Sequence, residues 1–171
     1  MEMEKGYLQV YTGDGKGKTT AALGLVVRAL GAGLKVHVVQ FIKSMEYSEL
    51  TTLRKLGVPV DQFGRGCFIF GEPSEEDRKV ASEGLAFARG LMNTDLDVLI
   101  LDEINVAISL GLLKTADVID LVRARPAGVE LVCTGRGAPA ELIEEADLVT
   151  EMVAVRHYYD NGVQARKGIE C

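Results

Sequence analysis

Residues 12–20 read Thr-Gly-Asp-Gly-Lys-Gly-Lys-Thr-Thr, between an apolar segment at 7–11 and a helix-forming run that begins at Ala21. A glycine-rich turn from strand to helix can aim several backbone N–H groups at one point, where side chains with a Cβ would crowd them. The helix that follows adds its own unpaired N–H groups and about half a positive charge at its N-terminus. The stretch therefore reads as a cradle for phosphate, and Gly13, Asp14, Gly15, Lys16, Gly17, Lys18, Thr19 and Thr20 are its expected nucleotide-binding residues. Lys18 would reach the terminal phosphates as a point charge, and Thr19 would offer its hydroxyl to Mg²⁺. The usual pattern has a glycine where this chain has Thr12. An ordinary glycine-rich turn between strand and helix is the alternative reading.

Outward from this loop, strand and helix signals alternate along the whole chain without repeats or low-complexity linkers. Strands are expected at 7–11, 35–41, 58–63, 97–102, 129–134 and 148–153, and helices at 19–30, 48–56, 74–92, 105–110, 115–124 and 138–145. Ser74 and Thr115 read as N-caps, and Gly31 as the residue that closes the first helix. Near-continuous apolar runs such as Val98-Leu99-Ile100-Leu101 suit strands buried on both faces. The expected fold is α/β and P-loop NTPase-like (RecA-like): one domain over 1–171 with a mostly parallel sheet of about six strands and helices on both faces.

Ligands of such sheets bind beyond the carboxyl ends of the strands, and several strand ends here are polar. They are the loop itself, Gln40-Phe41-Ile42-Lys43, Asp102-Glu103 and Thr134-Gly135-Arg136-Gly137. The run Val98–Glu103 puts carboxylates at the end of an apolar strand, where Asp102 or Glu103 could hold Mg²⁺ together with Thr19. The two are adjacent, so on a continuing strand they would face opposite sides and one would be the direct ligand, unless the chain already turns at Glu103. Lys18, Thr19 and Glu103 are the catalytic candidates. The cations available to focus positive potential are Lys16, Lys18, Arg28, Lys43 and Arg136.

The 171 residues suit a single core, with 47% hydrophobic and 26% charged residues. No apolar run approaches the roughly 20 residues that span a bilayer, so no membrane association is expected. The net charge of −6 and the absence of a clustered basic excess argue against nucleic acid as a partner. No export signal is read at the N-terminus, and Cys67, Cys133 and Cys171 fit neither a disulfide frame nor a zinc site, so a reducing, cytoplasmic setting is expected, with Cys133 buried in a strand.

Six stretches together carry a family resemblance. They are the loop through Ala22, Val-Val-Gln-Phe-Ile-Lys at 38–43, Leu-Asp-Glu at 101–103, Cys-Thr-Gly-Arg-Gly-Ala-Pro at 133–139, Ala-Asp-Leu-Val-Thr-Glu-Met at 146–152 and the tail Gly-Val-Gln-Ala-Arg-Lys-Gly-Ile-Glu at 162–170. In these the chain resembles the P-loop class of ATP:corrinoid adenosyltransferases. The resemblance implies attack by a reduced Co(I) corrinoid on the ribose 5′ carbon of ATP with release of triphosphate, a flavin or flavoprotein reductant, and a homodimer. It also implies nucleotide contacts from Arg28 and Arg136. No general base is required, because the nucleophile is the substrate's own cobalt. His157 falls in a stretch similar to the family's tail and is expected, like His37, to be structural. Where family members often show Phe-x-Trp in the corrinoid pocket, this chain has Phe68-Ile69-Phe70 and no tryptophan, so Phe68 and Phe70 are the expected corrinoid wall. Longer members carry an N-terminal extension over the site; here the cover is either absent or supplied by the loop at 44–48. A P-loop ATPase or kinase built on Asp102 or Glu103, and a nucleotide-sensing module, are the other function classes open at this point.

Overall fold

In the computed structural model, which describes residues 4–66 and 71–170, the buried strand at the centre of the sequence organises everything else. All five residues of Val98–Asp102 are buried. Their alternation sends Val98 and Ile100 to one face and Leu99 and Leu101 to the other. A strand that is apolar on both faces must be covered on both, and it is.

In chain order the elements are β1 (Leu8–Thr12), α1 (Lys18–Gly31), β2 (Val36–Lys43), α2 (Ser48–Lys55), β3 (Val60–Gly66), α3 (Glu75–Leu91), β4 (Val98–Asp102), α4 (Ile104–Ser109), α5 (Thr115–Arg123), β5 (Glu130–Thr134), α6 (Ala140–Glu145) and β6 (Leu148–Glu151). A short 3-10 turn follows at Tyr158–Asn161. The strands form one six-stranded sheet in the order β3-β2-β4-β5-β1-β6, and every pairing is parallel. The expectation of a mostly parallel sheet with helices on both faces is met.

One face packs Ala22, Val26 and Ala29 of α1 and Leu53 of α2 against Val36, Val38, Val98, Ile100 and Val132. The other packs α3, α4, α5 and Leu142 of α6 against Leu8, Val10, Val39, Leu99, Leu101 and Leu131. Cys133 lies buried in this second core, as expected, and burial pushes its thiol up to about 12.

Helix boundaries follow local chemistry, with two corrections. Ser74 caps α3 in a full capping box: its hydroxyl accepts from the Asp77 N–H, and the Asp77 carboxylate accepts from the Ser74 N–H at 2.9 Å. Thr115, by contrast, is the first residue of α5; Lys114 holds the N-cap position and makes no side-chain capping bond. Gly31 is still helical, and the left-handed conformation that ends α1 falls on Gly33 at φ 79°. The buried stripe of α3, Ala81, Gly84, Leu85 and Ala88, has helical spacing. At Gly84 a Cβ would stand 2.7 Å from Cγ of Phe63, so the glycine lets α3 lie close on the sheet.

Candidate active site

The loop between β1 and α1 is shaped by a neighbour that sequence reading did not anticipate. β6 runs parallel to β1 with Thr12 opposite Glu151, so the next residue, Met152, is delivered onto the loop. Its N–H donates to Thr12 O at 2.9 Å, and its carbonyl accepts from the Gly15 N–H at 2.6 Å. A Cβ on Gly13 would meet that carbonyl at 2.5 Å, and one on Gly15 at 2.6 Å. The expected reason for these glycines was room for a phosphate; in the fold they are demanded first by the backbone of Met152. Gly13 and Gly17 also adopt positive φ, 92° and 123°. No side chain caps α1, so its first N–H groups are free of that competition.

Lys18 is buried, and its ammonium donates to Gly13 O at 2.6 Å and Gly15 O at 2.8 Å. Burial and then the charge of Arg136 pull its pKa down, against the opposing pull of Glu103 and Asp14. Thr19, one residue into the helix, donates its hydroxyl to Asp102 Oδ1 at 2.8 Å.

Asp102 is a fully buried hub. Oδ1 also accepts from Thr134 Oγ1 at 2.7 Å, while Oδ2 accepts from Lys43 Nζ at 2.7 Å and from Gln40 Nε2 at 3.2 Å. Four donors fill the roughly four acceptor positions of a carboxylate. The carboxylate is 1% exposed and Lys43 14%, so this is a buried ion pair. Burial works against the Lys43 charge, but the attraction and hydrogen bond of Asp102, with Glu103 and Glu49 behind it, outweigh burial and hold the lysine above its ordinary value. Lys43 is aimed here by a register shift between Phe41 and Lys43 and by left-handed Ile42 at φ 69°. Gly64 opposite is part of that device, since a Cβ there would fall 2.1 Å from Ile42 O.

Glu103 resolves the question of the adjacent carboxylates. β4 ends at Asp102, and Glu103 turns the chain in the left-handed conformation, φ 62°, as the N-cap residue of α4. Its N–H donates to Thr134 Oγ1 at 3.1 Å. Its carboxylate accepts no hydrogen bond from the described residues. Burial, and then the neighbouring Asp102, raise its pKa against the pull of Lys43, Lys18 and Arg136. Arg136 lies in the loop after β5 between two positive-φ glycines, Gly135 and Gly137, is exposed, and faces both Lys18 and Glu103.

Lys18, Thr19, Asp102, Glu103 and Arg136 thus meet at one rim. Two other expected nucleotide residues do not join them. Arg28 lies in the last turn of α1, ten residues beyond Lys18 and so about 15 Å along the helix axis. The Lys16 side chain turns away to the C-terminal tail, donating to Ile169 O at 2.6 Å. Phe68 and Phe70 lie outside the described residues. Among the described residues, a groove of about 380 Å³ between the end of β3 and the start of α3 has Ile42, Phe63, Arg65, Glu72, Asp77 and Leu112 in its lining. His37 pairs with Asp61 at 2.7 Å, and His157 caps the 3-10 turn by accepting from the Tyr159 N–H.

Sequence reading missed Asn105. It is fully buried, and its amide donates to Tyr11 O at 3.3 Å and Gly135 O at 3.1 Å, tying the root of the phosphate loop to the root of the Arg136 loop. Its one available signal was a lone amide in the otherwise apolar start of α4.

For Mg²⁺, a hard cation that keeps several waters and needs one or two protein oxygens beside phosphate, the hydroxyl of Thr19 and the unpartnered carboxylate of Glu103 are a fitting donor set. Asp102, already saturated, fits an orienting role better than a direct one. No cluster of three or more His, Cys, Asp or Glu side chains that could hold a metal ion occurs among the described residues.

Residues 4–171 match the model of the family described as ATP:corrinoid adenosyltransferase BtuR/CobO/CobP. The chain is 40% identical to a corrinoid adenosyltransferase of Pseudomonas aeruginosa over 98% of its length and 84% of that protein's. It is 37% identical to one from Escherichia coli K12 and 36% identical to the corrinoid adenosyltransferase CobA of Salmonella typhimurium, in both cases over 98% of this chain and 86% of the other. Among solved structures, the flagellar accessory protein FlaH of Methanocaldococcus jannaschii superposes with a TM-score of 0.58 over 87% of this chain and 72% of that one; at 14% identity this is a likeness of fold. By this match over residues 4–171 and these relatives, the chain belongs to the BtuR/CobO/CobP family of ATP:corrinoid adenosyltransferases.

Proposed function

We propose that this protein transfers the 5′-deoxyadenosyl group of ATP to the cobalt of a reduced corrinoid, releasing triphosphate, in the making of adenosylcobalamin. The observation that carries the reading is the meeting of Lys18, Glu103 and Arg136 with the loop amides at one sheet edge, in a chain of this family. In the step, the electron pair of Co(I) attacks C5′ of the ribose and the C5′–O bond breaks. Its electrons leave with the triphosphate, and the cobalt becomes formally Co(III), bonded to carbon. The difficult part is the leaving group, on which negative charge concentrates. Lys18 and Arg136 are placed to stabilise that charge, and the α1 N-terminus adds its dipole. Mg²⁺, held by Thr19 and Glu103, would supply further charge neutralisation of the triphosphate.

Asp102 contributes by fixing Thr19 and Lys43, while Asn105 keeps the loops carrying Lys18 and Arg136 in register. The groove beside Phe63 and Arg65 is the place where the rim of a corrin ring would enter. A flavin or flavoprotein reductant, a homodimeric assembly and a cytoplasmic location complete the proposal, supported by the family membership. No helix among the described residues is long and apolar enough to cross a membrane.

The test is an anaerobic reaction with ATP, Mg²⁺ and chemically reduced cobinamide. The light-sensitive adenosyl-cobalt spectrum is followed while triphosphate and orthophosphate are measured separately. Light-sensitive product with equimolar triphosphate is expected. Orthophosphate released without corrinoid would replace this reading by that of a P-loop ATPase.

A further inference from the structure

The tail at 162–170 is one of the stretches that carry the family resemblance, yet nothing in the chemistry above uses it. In the fold it returns to the phosphate loop. Lys16 donates to Ile169 O at 2.6 Å and faces Glu170 Oε1 at 3.4 Å, with the two side chains 39% and 18% exposed.

Glu170 is itself fastened from three sides. Its carboxylate accepts from the Arg166 N–H at 2.8 Å and from the Arg166 guanidinium at 3.2 Å, and the Tyr158 hydroxyl donates to it as well. Arg166 also stacks over the Tyr158 ring, 4.9 Å from its centroid. Hydrogen bonds from Arg166 first and Tyr158 second hold the Glu170 carboxyl far below the usual range, so it is ionised at any working pH. The segment from Met152 to Glu170 is therefore closed on itself and attached to two consecutive loop residues: Met152 O takes the Gly15 N–H, and Ile169 and Glu170 take the Lys16 ammonium. The missing Cβ atoms of Gly13 and Gly15 make that approach possible.

We propose that the segment 152–170 is a clasp that holds the phosphate loop in its nucleotide-binding shape, with Glu170 acting through Lys16 as a positioning residue for the triphosphate. The inference rests on the nucleotide reading of the loop. A loop rich in glycine has many conformations, and an anion gains most from amides that already point at it. Two ties on adjacent residues remove that freedom before the ligand arrives. The charge of Lys16 is spent on the tail, so its loss acts through loop order and not through a missing phosphate contact.

The experiment measures ATP binding by calorimetry in the presence of Mg²⁺ and without corrinoid, together with amide hydrogen exchange over residues 13–18, for the full chain and for Glu170→Ala, Glu170→Asp, Lys16→Ala and the Lys16→Ala/Glu170→Ala double variant. Expected are faster exchange in the loop and ATP binding weakened about 3- to 10-fold in each alanine variant, the range of one partly shielded ion pair with its hydrogen bonds. The double variant should be no weaker than the single ones, since both cut the same tie. Glu170→Asp should recover part of the affinity. In the transfer reaction the KM for ATP should rise while kcat stays within twofold, a split that general loss of structure would not give. Unchanged loop exchange in Glu170→Ala, or effects of Lys16→Ala and Glu170→Ala that multiply, would overturn the clasp. If the unaltered protein bound no ATP, the nucleotide reading would fall, and with it the positioning role of Glu170.

Discussion

Lys16 and Lys18 are two residues apart, carry the same charge and open on the same glycine-rich loop, yet they point to different places. Lys18 lies buried against the loop carbonyls and faces Arg136 and Glu103, whereas Lys16 faces Glu170. Lys18→Ala should lower kcat for adenosyl transfer by about 10²- to 10³-fold, the usual loss when one preorganised charge at a developing anion is removed. Lys16→Ala should leave kcat almost intact. Steady-state kinetics at saturating ATP separates the two, and equal losses would sink the assignment. The two carboxylates of β4's end divide in the same way. Asp102→Ala strands the Lys43 ammonium in a buried site, which should cost about 3–5 kcal/mol of stability, read as a shift in the urea midpoint. Glu103→Gln should keep the fold and lose the Mg²⁺ dependence of transfer, since the side chain has no hydrogen-bond partner to forfeit among the described residues.

Element by element, much of this molecule was legible in its sequence, and the exceptions have physical causes. Apolar runs located all six strands to within about three residues, most directly at β4, where burial on both faces leaves no polar periodicity to confuse the reading. The capping box of α3 was visible as Ser74 with acidic residues behind it. Ser74→Ala should therefore cost about 1 kcal/mol in urea denaturation without altering the KM for ATP. Thr115 looked equivalent, but its neighbour Lys114 took the cap position, and propensity alone does not separate adjacent candidates. The loop residues were found, while the reason for two of their glycines was not, because it lies in the register between β1 and β6, a contact between residues about 140 positions apart. Lys43 was read as one of the cations at a strand end, but its pairing with Asp102 was not legible, nor was Asn105 as a site builder, for the same reason. A bulge aims one and a buried amide bridge defines the other, and both are properties of neighbouring strands.

At the scale of the whole molecule, the site leaves a mark on how stability depends on pH. Glu170, Asp77 and Glu145 have pKa values lowered by their hydrogen bonds, so the stability they contribute is lost as pH falls below the ordinary carboxylate range. Glu103 works in the opposite sense. Burial and Asp102 raise its pKa above the ordinary 4.5, so over the interval above 4.5 the native state holds a proton that the unfolded chain has already released. With more protons bound in the native state, stability must fall as pH rises through that interval, until Glu103 is ionised in both states. The functional site is thus built at a cost to the fold, a cost that a cation beside the carboxylate relieves. Urea midpoints measured without divalent ions from about pH 5 to about pH 8 should show the unaltered protein losing stability relative to Glu103→Gln as pH rises, and Mg²⁺ with ATP should flatten that difference. A difference that stays constant across the range would mean that Glu103 is not the strained carboxylate, and that the charge poised beside Lys18 and Arg136 belongs to another group.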